Sequence, residues 1–307
     1  MNPTLVHWLV WLCGCVAFAS ALSQLAVPRS ARGYAALGLS LASLAAPWFA
    51  PSGSVLRAAV ALYLLWTCTK VLDMLGDAEP RSPYFRWLWM LVLHDLRRDG
   101  LAQGAARPEL RLGLLVTALA ALGVTLAGLH VAVVEAERLE PVARWLLRQG
   151  AGLLACYAGV EAALRSFEFV YRCLGSRPPR LHDHPILSLS LAEFWGRRWN
   201  RVVGHWLFAT FYRPLARAGR ATAGVVAAFL GSALLHLYFT WAAIGVRWSL
   251  VMASFFLLQV PLVLLEAKLR QARWPQRWRR LWTVGCLVLC APLFVEPTLV
   301  TLAGGLR

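Results

Sequence analysis

Residues 112–134, LGLLVTALAALGVTLAGLHVAVV, hold no Asp, Glu, Lys or Arg, and as a helix they are long enough to cross the roughly 30 Å hydrocarbon core of a bilayer. A surface helix of a soluble domain would show a polar stripe at helical spacing, whereas here only Thr117, Thr125 and His130 carry polar side chains. Outward from this stretch, apolar runs recur at 4–27, 33–50, 54–76, 147–167, 221–243, 247–267 and 281–304, which predicts about eight spans. Pro47 shortens the second, and 83–97, PYFRWLWMLVLHDLR, is too short to span and reads as an interfacial helix. Composition agrees, with 59% hydrophobic residues, 15% charged residues and a mean hydropathy of +0.58. The expected fold class is therefore all-α, a polytopic transmembrane helical protein, with residues 1–307 forming a single integral-membrane domain. No fixed-period repeat and no similar halves are visible.

The net charge of +16 comes almost wholly from arginine. The arginines follow the first, third, fifth and seventh runs, while the intervening loops carry little beyond Arg57, Arg138, Arg144 and Arg247. Basic residues collect on the cytoplasmic side, so the pattern predicts an even number of spans with both termini outside. It also explains the charge without nucleic acid as a partner. MNPT lacks the basic start of a signal peptide, and residues 4–27 read as the first helix. The seven cysteines lie in or beside spans at no metal-ligand spacing, and their odd number argues against a disulfide framework.

The long loop of about 168–220 is predicted to face the cytoplasm. It opens with SRPPRLHDHP, whose prolines rule out a continuous helix, and continues SLSLAEFWGRRWNRVVGHWLFATFYRPL. Ser190 ahead of Glu193 signals a capping box for a helix running to about Phe211. At 100° per residue, Trp195, Trp199, Val202, Val203 and Trp206 share one arc, and Glu193, Arg197, Arg198, Arg201 and His205 the opposite one. Asn200 lies at the polar edge, with Gly196 and Gly204 one turn to either side leaving room for a ligand or another helix. A plain interfacial helix anchored by tryptophan and arginine is the alternative.

His236 adds a second feature. It sits in FLGSALLH at 229–236, about fifteen residues or roughly 22 Å into the sixth run, beyond the reach of snorkelling. Ser232 and Thr240 place hydroxyls on the same helical face. An ionisable side chain at that depth points to function; a neutral imidazole bonded to a neighbouring helix is the structural alternative.

Together, EFWGRRWN at 193–200 and FLGSALLH at 229–236 are similar to the paired motifs of the wax synthase branch of the membrane-bound O-acyltransferase superfamily. The motif-bearing core covers about 168–245. The resemblance implies that His236 and Asn200 are the catalytic pair, with a fatty acyl group passing from an acyl thioester to the hydroxyl of a lipophilic alcohol. Glu193 stands where the family usually has Asp, and Leu237 where many members have an acidic residue.

The residues suit that chemistry. A neutral imidazole at His236 takes the hydroxyl proton, and the Asn200 amide donates to the thioester carbonyl or fixes the hydroxyl. Arg197, Arg198 and Arg201 are expected to meet the phosphates of acyl-CoA or an acyl carrier protein, although Arg197 at i+4 can instead pair with Glu193. Trp195 and Trp199 would seat the segment against an apolar channel, with Ser232 beside His236. No cofactor is expected beyond acyl-CoA as co-substrate, and membrane lipids surround the protein. His182 and His184 are too few to predict a metal, and Glu161 and Glu296 read as helix-to-helix pairs. The rival classes are a proton-coupled lipid transporter using His236 and Glu161, and a non-catalytic lipid-binding membrane protein. Arginine-rich, lysine-poor usage favours a bacterial cytoplasmic membrane, or the endoplasmic reticulum if the source is eukaryotic.

Overall fold

The computed structural model describes residues 3–50, 53–77, 81–92, 108–173, 178 and 180–304. Among these residues every regular element is helical. In chain order the α-helices longer than one turn are α1 (Pro3–Leu25), α2 (Ala31–Ser43), α3 (Ser54–Leu75), α4 (Pro83–Leu91), α5 (Pro108–His130), α6 (Pro141–Cys173), α7 (Arg201–Leu207), α8 (Arg213–Arg217), α9 (Ala221–Ile244), α10 (Val246–Lys268), α11 (Gln276–Cys290) and α12 (Pro292–Ala303).

Among the described residues, five helical stretches are long and apolar enough to cross a membrane: Val6–Leu25, Ser54–Leu75, Glu109–Arg138, Ala221–Ile244 and Val246–Lys268. The pair α11 and α12 would form a sixth, bent by 47° where Pro292 interrupts the helical hydrogen bonds. This is fewer than the eight runs expected from hydropathy. The run at 33–50 is a 13-residue helix followed by a separate 3-10 turn at Ala46–Phe49. The run at 147–167 lies within the 33-residue α6, which carries Arg148, Glu161, Arg165 and Glu168. Of the interfacial helix expected over 83–97, α4 is seen, and Arg97 and Arg98 lie outside the described residues with Arg107, Arg177 and Arg307.

The chain divides into two compact units. Met1–Arg98, Leu237–Ser249 and Thr301–Arg307 form the first, and Asp99–His236 and Leu250–Val300 the second. In the first, Cys15, Leu56, Val60 and Leu64 are buried against Trp8, Trp11, Phe18 and Tyr63. The Tyr238 hydroxyl donates to the Leu44 carbonyl at 2.8 Å, and the Lys70 ammonium lies 4.8 Å from the centre of the Trp66 ring.

In the second unit, Ala132, Ala291, Val295 and Leu299 form a buried cluster. Gly152 on α6 admits Leu299 of α12 so closely that a Cβ would meet it at 3.0 Å. Beside this contact Arg148 donates from Nε and Nη2 to Glu296 at 2.9 and 3.1 Å. That is the helix-to-helix pairing expected of a carboxylate in an apolar setting. Glu161 pairs with Arg165 on its own helix at 2.8 Å and with His182 of the following loop.

Candidate active site

The site segment begins with a variant of the predicted capping box, in which the carboxylate bonds the residue before the N-cap. The Ser190 hydroxyl accepts from the Glu193 N–H at 2.9 Å, and the Glu193 carboxylate returns to the backbone, accepting from the Leu189 N–H at 2.9 Å. One turn at Leu191–Glu193 then widens into a π-helical turn over Phe194–Arg198. Its extra residue brings Arg198 rather than Arg197 back over Glu193, with Arg198 Nε donating to Oε1 at 2.6 Å. Burial raises the Glu193 carboxyl pKa, but the Leu189 N–H and Arg198 outweigh it and hold the group below its ordinary value.

The expected helix to Phe211 is broken after this turn. The Trp199 N–H closes the π turn on the Phe194 carbonyl at 2.8 Å. Asn200 then adopts φ 35°, ψ 66°, in the left-handed region, and caps α7 with its carbonyl oxygen 3.5 Å from the Val203 N–H. Asparagine is among the few residues that adopt this conformation readily. Its Oδ1 therefore serves the cap, while its Nδ2 has no protein acceptor among the described residues. A second π turn, Phe208–Tyr212, joins α7 to α8.

The break changes what the arginines do. Arg198 is tied to Glu193 and, through Nη1, to the Asp183 carbonyl at 3.2 Å. Arg201 donates from Nη1 to the Arg180 carbonyl at 3.0 Å. Arg197 is exposed and has no ion-pair partner among the described residues. The space expected beside Asn200 is present at Gly196, where a Cβ would meet nothing within 4 Å. It is absent at Gly204, where a Cβ would lie 3.3 Å from the Trp195 carbonyl.

The two indoles of the motif also separate in role. Trp195 turns into the helices. Its Nε1 donates to the buried Gln259 side chain at 3.1 Å, and its ring lies 5.9 Å from Phe255, 6.0 Å from Phe256 and 6.1 Å from Phe229. Trp199 stacks on Phe194 at 5.4 Å and meets the edge of His182 at 5.0 Å.

His236 lies on α9 with its ring 3.9 Å from that of Phe256 and 6.4 Å from Phe294. Its Nδ1 is 2.8 Å from the Ser232 carbonyl. A carbonyl only accepts, so Nδ1 carries the proton and Nε2 of the neutral ring carries the lone pair. Ser232 thus acts on His236 through its backbone oxygen. A chain of ring contacts runs between the two motifs: Trp199 on Phe194, Phe194 on Trp195 at 4.8 Å, Trp195 on Phe256, and Phe256 on His236. Phe256 and Gln259, both on α10, were not singled out from the sequence. An apolar helix contains many phenylalanines, and only the packing distinguishes these positions.

This segment is also where similarity to known proteins concentrates. The fold and the candidate site define a polytopic helical membrane protein with a histidine inside an apolar helix and a capped asparagine turn. Residues 178–258, which hold both, match the Membrane bound O-acyl transferase family. A probable long-chain-alcohol O-fatty-acyltransferase 2 of Arabidopsis thaliana is 34% identical over 117 residues, 35% of this chain and 34% of its own length. The long-chain-alcohol O-fatty-acyltransferase of Simmondsia chinensis is 30% identical over 125 residues, 38% and 36% of the two chains. A probable long-chain-alcohol O-fatty-acyltransferase 6 of Arabidopsis thaliana is 32% identical over 163 residues, 47% and 46%. The matches span less than half the length of these relatives. Over the matched segment the chain is similar to wax synthase-like membrane-bound O-acyltransferases, as the two motifs imply.

Proposed function

We propose that this protein transfers a fatty acyl group from an acyl thioester to the hydroxyl of a lipophilic alcohol, forming an ester such as a wax ester. The observation that carries the reading is the 2.8 Å approach of His236 Nδ1 to the Ser232 carbonyl, which makes Nδ1 the donor and assigns the lone pair of the neutral ring to Nε2 on an apolar helix. In the proposed reaction Nε2 removes the alcohol proton as the oxygen attacks the thioester carbonyl. The C–O bond forms, the C–S bond breaks, and the proton passes to the departing thiolate. Asn200 Nδ2 donates to the carbonyl oxygen as it becomes an oxyanion. Neither step requires a covalent enzyme intermediate or a cofactor, and acyl-CoA is the co-substrate.

Arg197 is the side chain proposed to meet the donor's phosphates, since Arg198 and Arg201 are engaged with the protein. The 168–220 segment is proposed to face the cytoplasm, where acyl-CoA or acyl carrier protein is available, in a bacterial cytoplasmic membrane. The names of the relatives, which join a fatty acyl group to a long-chain alcohol, support the acceptor class. Incubating membranes containing the full chain with labelled acyl-CoA and a panel of alcohols tests the proposal. Labelled ester with a long-chain alcohol is expected, and its absence with every acceptor contradicts the reading.

A further inference from the structure

An ionisable network lies beside Asn200 that the proposed reaction does not use. His182 is fully buried, and its Nδ1 hydrogen-bonds the Glu161 carboxylate. The other carboxylate oxygen accepts from Arg165 Nε at 2.8 Å. Arg165 also reaches Glu168 at 3.1 Å, and Glu168 accepts from the Leu181 N–H at 2.7 Å. A carboxylate held by arginine accepts, so Nδ1 of His182 is its proton donor. The Nε2 atom is buried with no protein partner among the described residues. Apolar side chains would fill such a place without the desolvation penalty of buried ionic groups, so packing alone does not account for the network.

Its geometry supplies an account. The backbone N–H of Asp183 donates to the Arg198 carbonyl at 3.0 Å, and that of Arg201 donates to the Leu181 carbonyl at 2.9 Å. The two neighbours of His182 therefore grip the chain on either side of Trp199 and Asn200. Between these bonds the imidazole meets Trp199 edge-on, with the rings 5.0 Å apart and inclined at 78°, and Tyr157 backs it at 5.4 Å. Asn200, at φ 35° in the left-handed region, lies between these two backbone bonds, so the 181–183 loop frames its turn.

We propose that Glu161 and His182 are a positioning pair for Asn200. The carboxylate fixes the imidazole, and the imidazole, set against Trp199, holds the left-handed turn that presents the Asn200 amide. This inference rests on the reading of Asn200 as the oxyanion donor. The pair acts through Asn200 and does not touch the reacting atoms.

The test uses the full chain in membranes at matched protein levels, with labelled palmitoyl-CoA and hexadecanol. His182→Ala is expected to lower kcat about 10- to 100-fold with donor KM changed by no more than about twofold, because a displaced catalytic donor acts on the chemical step. Placed on Asn200→Ala, the same substitution should cost about twofold or less, since residues acting as a unit are not additive. Glu161→Gln, which keeps the side-chain volume, should give the same non-additive pattern and is read instead if His182→Ala fails to accumulate.

Independently of activity, trypsin cleavage after Arg198 in detergent should quicken about tenfold in His182→Ala while cleavage after Arg273 is unchanged, as expected of a locally loosened turn. Losses that multiply across the double variant, or an unchanged cleavage rate at Arg198, overturn the proposal. If the wild-type chain forms no ester, the acyl-transfer reading fails while the trypsin comparison still decides whether the pair holds the turn.

Discussion

Arg198 closes on Glu193 across five residues, Nε to Oε1 at 2.6 Å, and Arg197, the i+4 neighbour, points away exposed. The π turn over Phe194–Arg198 produces this exchange, and it leaves the two adjacent arginines in different surroundings.

Arg197→Ala is therefore expected to raise the apparent KM for acyl-CoA several-fold, about 1 kcal/mol for a lost phosphate contact made alike in ground and transition states, with kcat little changed. Added salt should mimic the loss. Arg198→Ala should instead lower kcat about tenfold or more, because it frees the turn that carries Asn200. Steady-state kinetics of both variants in membranes distinguish the roles, and the reverse assignment of KM and kcat effects would show that Arg198 holds the donor.

The same ion pair predicts a pH dependence. Glu193 has a folded pKa below its unfolded one, so its contribution to stability is complete above the ordinary glutamate pKa near 4.3 and is lost as pH falls through the lower folded value. Thermal unfolding in detergent between about pH 6 and about pH 3 should show this loss in the wild type and a shallower one in Glu193→Gln. Identical slopes would remove Glu193 from the acid response.

Gln259 offers a test of how the motif segment is seated. Its side chain is fully buried and is the acceptor of Trp195 Nε1 at 3.1 Å. Gln259→Leu leaves a buried N–H unpartnered and should destabilise the fold by about 1–3 kcal/mol. Trp195→Phe in the same background removes that donor and should recover part of the loss. A double variant no more stable than Gln259→Leu would show that the bond contributes little.

How far these features were legible in the sequence depends on their range. The spans at 54–76, 112–134, 221–243 and 247–267 follow from hydropathy alone, since a helix in lipid satisfies its own backbone and needs only apolar side chains. The short α2 and the charged α6 were harder to read, because hydropathy averages over Pro47 and over the pairing that stabilises Arg148. His236 is legible because a polar residue among apolar ones is conspicuous, and Asn200 because EFWGRRWN resembles a family motif. The break at Trp199–Asn200 is not legible, because a wheel drawn at 100° per residue presumes an unbroken helix and one inserted π residue has no signature in composition. In the sequence Glu161 reads as one half of a helix-to-helix pair and His182 as one of two histidines too few for a metal site. Their partnership spans 21 residues, and only the fold brings them together.

His236 is the proposed base for ester formation. In membranes with matched protein levels, transfer of a labelled acyl group to a long-chain alcohol should fall about 10²- to 10⁴-fold in His236→Ala, and Asn200→Ala should retain a residual rate after a loss of about 10²- to 10³-fold. The His236 variant should still insert and accumulate, since alanine is less costly than histidine in an apolar helix. Wild-type activity in His236→Ala would contradict the mechanism.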